Sequence, residues 1–313
     1  SRLKIESTKK ALLIVFKGVN HLAKLKKYLF IFPLVVIVLA LFSKSPTFLI
    51  DPNDKKYQVL ASELQTSIAT PTIFIPGTNG TVSRFDGLLD KLSKAYDDLS
   101  VQKITVQTDG TLKINGRLNT KSGHPVFVIA FEQADDGIDA LVQQGKWLKI
   151  ALDYLADRYE FSQYHCVGHS NGGLVMTEYL QNFYSTDDPT LVSLMTLGTP
   201  YNDVELAANS DANRLLITNW LQHYLDKQEQ LPTNLQIINV AGRTLSQDTD
   251  GIVPLNSVLA GKKLYGFVDD YQEVIVEATH SELPENAQVM KLIIQMMDQE
   301  QTDATDSNSN ANV

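Results

Sequence analysis

Cysteine is nearly absent. Cys166 is the only one in 313 residues, which excludes an intramolecular disulfide and any cysteine-built metal site. It lies in His165-Cys166-Val167, which reads as a strand, so a buried, unreactive thiol is expected. No Gly-Lys-Ser or Gly-Lys-Thr occurs, so nothing completes a phosphate-cradling nucleotide loop. No internal repeat is present. Basic residues are scarce beyond position 27: the leader carries eight Lys or Arg against Glu6 alone, so a formal charge of −9 for the chain leaves the rest at −16. A body that acidic repels nucleic-acid phosphates, and it lacks a basic stripe interleaved with aromatics, so no nucleic-acid partner is expected.

The apolar run 28–42 (YLFIFPLVVIVLALF) counts fifteen residues without a charge. A membrane-spanning helix wants about 20 and a signal-peptide core about 7 to 15. Val38-Leu39-Ala40 offers a weak cleavage site, whereas the long basic leader 1–27 and a Lys44 able to snorkel favour an anchor. Lys24, Lys26 and Lys27 keep the leader inside in either case, so the acidic body is expected to be exported, membrane-anchored or secreted. All-round hydrophobicity leaves no polar face for a helix of a water-soluble domain.

Residues 43–56 (SKSPTFLIDPNDKK) read as a linker, with one domain over 57–298. Helical spacing (Tyr57, Leu60, Leu64, Ile68) precedes a buried strand at 72–75 that Pro76-Gly77 closes. A second helix follows at 88–96, and the alternation over 101–118 about Asp109-Gly110 signals a hairpin. Further strands are expected at 126–131, 165–167, 191–197, 235–240 and 273–277, with helices at 138–159 and 172–183. Strands alternating with long helices imply an α/β fold, a mostly parallel sheet covered on both faces. Residues 203–230 exceed what a crossover needs and are a candidate helical cap; the polar tail 299–313 reads as disordered.

The chemistry centres on Gly168-His169-Ser170-Asn171-Gly172, a Gly-X-Ser-X-Gly between an expected strand and an expected helix. Glycines permit the sharp turn that pushes a serine hydroxyl into a cleft. A serine needs a base steered by a carboxylate. Asp250, in Asp250-Gly251-Ile252-Val253-Pro254, and His280 each follow an expected strand, which gives the chain order Ser, Asp, His of α/β-hydrolases. Asp248 competes for the acid role, and only the glycine after Asp250 favours Asp250. Asp248 and Asp250 also resemble part of a calcium loop, but its other ligands are missing, so no metal is expected. His21, His124 and His165 are poorly placed as bases. His169 is read as packing and His223, in the candidate cap, as able to touch substrate. Two backbone N–H groups are expected to hold the oxyanion: that of Asn171, and that of Thr78 in Pro76-Gly77-Thr78-Asn79-Gly80. The pairs Asp97-Asp98, Asp135-Asp136, Asp187-Asp188 and Asp269-Asp270 read as solvated surface.

Together FIPGTNG, GHSNGG, LGTPYN, DGIVP and THSELPEN, spread over about 57–297, resemble the cell-surface α/β-hydrolases of Gram-positive bacteria. The resemblance implies a lipase- or esterase-like fold with Ser170, Asp250 and His280 as triad. Related sequences usually carry His-Gly where Pro76-Gly77 stands, a departure at the oxyanion loop. The leading expectation is a serine hydrolase cleaving a small or lipid-like carboxylic ester without metal or organic cofactor. Amide hydrolysis by the same residues, and a non-catalytic cell-surface binding domain, are the alternatives.

Overall fold

Strands form where β-branched and aromatic residues run together between turns. The structure is a computed structural model that describes residues 47–54, 65–210 and 215–309. Nine strands make one sheet: β1 (Thr47–Ile50), β3 (Thr72–Ile75), β4 (Ser100–Val106), β5 (Leu112–Asn115), β6 (Pro125–Phe131), β8 (Gln163–His169), β9 (Thr190–Leu197), β10 (Gln236–Arg243) and β11 (Tyr271–Glu277). Their spatial order is β1-β5-β4-β6-β3-β8-β9-β10-β11. From β4 to β11 every pairing is parallel; β5 alone runs antiparallel to both its neighbours, β4 and β1. A separate two-residue ladder joins β2 (Thr66–Ser67) to β7 (Tyr159–Glu160).

Successive side chains of a strand serve opposite faces, so a strand apolar throughout needs cover on both. Ile73 and Ile75 of β3 join a core with Leu141, Leu148 and Leu155 of α2 (Ile138–Arg158) and Leu174 of α3 (Asn171–Asn182). Phe74 faces the other way, among Leu88 and Leu92 of α1 (Asp86–Ala95) and Val289 and Ile293 of α8 (Ala287–Ser309). The sheet is therefore sandwiched, as the alternation of strands and helices predicts. The chain leaves β3 towards β4 on one side and, after β6 and α2, returns to β8 on the other. The carboxyl ends of β3 and β8 thus flank a crevice, the usual position for a site in such sheets. The hairpin forms at the expected place, with Gly110 at φ +86° and Gln107 N donating to Thr111 O at 2.8 Å.

Several expectations are corrected. Within the expected linker 43–56, residues 47–50 are the edge strand β1, because Phe48 and Ile50 alternate inward onto the core. The tail expected to be disordered from 299 continues α8 to Ser309; it contains no glycine or proline to stop a helix already begun. The helical spacing at 57–68 lies mostly outside the described residues, and its end is β2. The leader 1–27 and the apolar run 28–42 also lie outside them. Among the described residues no helix is long and apolar enough to cross a membrane. The segment 203–230 holds the short helices α4 (Leu206–Asn209) and α5 (Asn219–Leu225), while α6 (Leu255–Leu259) and α7 (Gly261–Tyr265) follow β10.

Candidate active site

Ser170 stands between β8 and α3 with φ +55° and ψ −130°, a strained backbone that a non-glycine residue adopts only where its surroundings enforce it. Close packing enforces it here. A side chain at Gly172 would lie 2.1 Å from the Ile75 carbonyl oxygen, and one at Gly77 would lie 2.6 Å from Ser170 Cβ. The elbow and the Pro76-Gly77-Thr78 loop are pressed together at the carboxyl ends of β3 and β8. Ser170 N–H donates to Leu197 O at 2.8 Å, tying the elbow to β9. The first N–H groups of α3 and the positive end of its dipole converge on this point.

Asp250 lies in the loop after β10 and His280 in the loop after β11. His280 Nδ1 and Asp250 Oδ2 are 2.6 Å apart, with the Asp250 side chain fully buried. Asp250 Oδ1 accepts from the backbone N–H of Ile252 at 3.0 Å and Val253 at 2.8 Å. Four lone-pair directions on a carboxylate thus meet three donors, so Asp250 has little freedom to rotate. The carboxylate also sets the imidazole tautomer: Nδ1 carries the proton and Nε2 is left as the acceptor. Gly198, at φ +59°, makes room for the pair, since a Cβ there would sit 3.0 Å from Asp250 Oδ2 and 3.1 Å from His280 Nδ1. Asp248 is exposed and outside this arrangement, which separates two candidates that the sequence left nearly equal.

Ser170 and His280 line one cleft of about 340 Å³. No hydrogen bond joins Ser170 Oγ to the His280 ring, a contact that unliganded sites commonly complete only with substrate bound. Thr78 and Asn171 line the same cleft. The Asn171 side chain donates to Thr78 Oγ1 at 2.7 Å and to Asp136 Oδ1 at 2.9 Å, so the residue after the serine clamps the loop that carries the second expected oxyanion donor. Pro76 in place of histidine therefore coexists with a tied loop. Asp136 is exposed, as its surface assignment from sequence expects, and through this clamp it also borders the cleft.

His169 also departs from expectation. It borders the cleft, its ring centroid is 4.7 Å from that of His280, and its Nε2 bonds His280 O at 2.9 Å. Burial, then the neighbouring His280 and Arg84, lowers its pKa to about 3. Arg84, which no sequence motif singled out, donates to Ser281 O at 2.6 Å and, at 3.5 Å, to His169 Nδ1. His223 turns away from the cleft and meets the buried Glu178 at 2.7 Å; burial holds the Glu178 carboxyl above its usual range, with His223 opposing. Cys166 is fully buried, which pushes its thiol up. Among the described residues no group of three or more His, Cys, Asp or Glu side chains is arranged to hold a metal.

The family described as alpha/beta hydrolase of unknown function (DUF915) matches residues 60–300. The chain belongs to this family. Two solved structures agree over most of their length. A protein of Listeria innocua is 31% identical, with 72% of this chain and 92% of that one covered and a TM-score of 0.66. A candidate cell surface hydrolase of Lactobacillus plantarum WCFS1 is 32% identical, covering 73% and 91%, with a TM-score of 0.64. No curated protein matches.

Proposed function

We propose that this α/β-hydrolase family member is an exported serine hydrolase that cleaves a carboxylic ester through an acyl-enzyme. The observation that carries the reading is the buried 2.6 Å Asp250–His280 pair beside a cleft into which a strained elbow presents Ser170. In the reaction Ser170 Oγ attacks the ester carbonyl while His280 Nε2 takes its proton. Asp250 orients the ring and stabilises the imidazolium that forms. The negative charge on the tetrahedral oxygen is held by the N–H groups of Asn171 and Thr78, which need not reorganise as it develops. Collapse expels the alcohol, protonated by His280, and water then attacks the acyl-serine by the same relay. Export is supported by the basic leader with its apolar run and by the cell-surface description of the Lactobacillus relative.

The test is fluorophosphonate labelling of the full chain beside Ser170→Ala and His280→Ala, followed by a panel of esters and matched amides. Labelling of the wild type alone, with ester turnover, is the expected result. Turnover of amides in preference to esters would reassign the leaving group. A folded wild type that takes no label would overturn catalysis at Ser170 and leave a binding domain.

A further inference from the structure

A histidine base works only at the right distance from its serine, and here the two sit on loops more than a hundred positions apart in sequence. Asp250 fixes the rotation of the His280 ring, but the placement of the whole loop depends on its backbone. Both backbone groups of His280 are engaged: its N–H donates to Asp250 O at 2.9 Å, and its carbonyl meets His169 Nε2 at 2.9 Å. His169 is peptide-bonded to Ser170, so this second contact ties the base directly to the nucleophile. Arg84 closes the bracket from outside, through Ser281 O on the base's loop and His169 Nδ1 on the elbow.

The chemistry of the three groups is self-consistent. A guanidinium can only donate, so His169 Nδ1 is the bare nitrogen and Nε2 carries the hydrogen that the His280 carbonyl accepts. His169 is 5% exposed. A neutral ring is also what the site requires, because a second imidazolium 4.7 Å from His280 would oppose the positive charge that His280 gains in the reaction. Simple packing would be served as well by an apolar residue, with no donor aimed at a carbonyl.

We infer that Arg84 and His169 are positioning residues that set the reach between His280 and Ser170. This rests on the serine-hydrolase reading. It is tested by the rate of fluorophosphonate labelling and by the melting temperature of the full chain, for wild type, His169→Leu, His169→Gln and Arg84→Met. Glutamine retains an N–H able to reach the His280 carbonyl; leucine fills the space without one. The expected result is labelling slowed on the order of tenfold or more in His169→Leu and Arg84→Met, with most of the rate recovered in His169→Gln. Wild-type rates in folded His169→Leu or Arg84→Met would overturn the inference. So would equal losses in folded His169→Leu and His169→Gln, since the hydrogen bond would then not be the cause. Should His169→Leu fail to fold, the half-buried Arg84→Met decides alone, by the same criterion. A wild type without label fails the hydrolase reading first, a result distinct from label in the wild type that Arg84→Met leaves unchanged.

Discussion

On one wall of the cleft His169 and His280 are buried, backed by the buried Asp250, and each is held by at least one hydrogen bond, while on another Val204 of the segment 203–230 stands 45% exposed. The first wall is the carboxyl edge of a sheet packed on both faces; the second belongs to the inserted segment that holds the short helices α4 and α5. Groups that must meet within tenths of an ångström thus stand at the ends of packed strands or in loops directly after them, whereas Val204 stands on the insertion. An exposed apolar side chain that lines a cleft is suited to meet an apolar portion of a ligand.

The contrast is broken most severely on the buried wall. Asp250→Asn keeps the shape of the pair but removes its charge and its hold on the tautomer, so kcat is expected to fall by on the order of 10³- to 10⁴-fold with KM little changed. Steady-state kinetics on an ester found in the screen checks this. Gly198→Ala comes next, because its Cβ would lie 2.8 Å from Leu283 Cδ1 and press on both members of the pair while φ stays positive. A loss of about 10²-fold in kcat and about 1–2 kcal/mol in urea unfolding is expected. An undisturbed kcat would show that the wall is looser than its packing implies.

Burial also leaves a signature in acid. His169 binds its proton near the ordinary 6.5 when unfolded but only at about 3 when folded. Its contribution is complete above pH 6.5 and declines by about 1.4 kcal/mol per pH unit as the pH falls from 6.5 towards 3. Glu178, whose carboxyl burial raises, acts in the opposite sense. Urea midpoints of His169→Gln and wild type between pH 7 and 4 isolate the first effect, and the variant should show the shallower acid loss. The exposed wall should give the smallest response. Val204→Ser is expected to change stability by less than about 0.5 kcal/mol and to raise KM about threefold for long acyl esters, leaving kcat intact. A fall in kcat at constant KM would erase the distinction between the walls.

Much of this could be read in the sequence, since strand periodicity and turn residues are local signals. β3 begins and ends where expected, and α2 differs by one residue. Ser170 is marked by its glycines, Asp250 and His280 by their order and position after strands. What escaped was carried by contacts between distant segments. β1 was hidden because the prolines and charges around it outweighed four alternating residues. Arg84 belongs to no motif; its partners are almost 200 and 85 positions away. Gly198 lay within a quoted motif, yet nothing local shows that its missing Cβ leaves space for an imidazole.

Residue order and spacing alone determined the α/β class, the elbow, the candidate for the base and the acidic character of the body, because each depends on a few consecutive side chains and the backbone geometry they favour. Only tertiary structure separated Asp250 from Asp248, moved His169 from packing into the site and joined Asn171 to Thr78. Those choices turn on burial and hydrogen-bond direction, which exist only once strands far apart in the chain have been brought edge to edge.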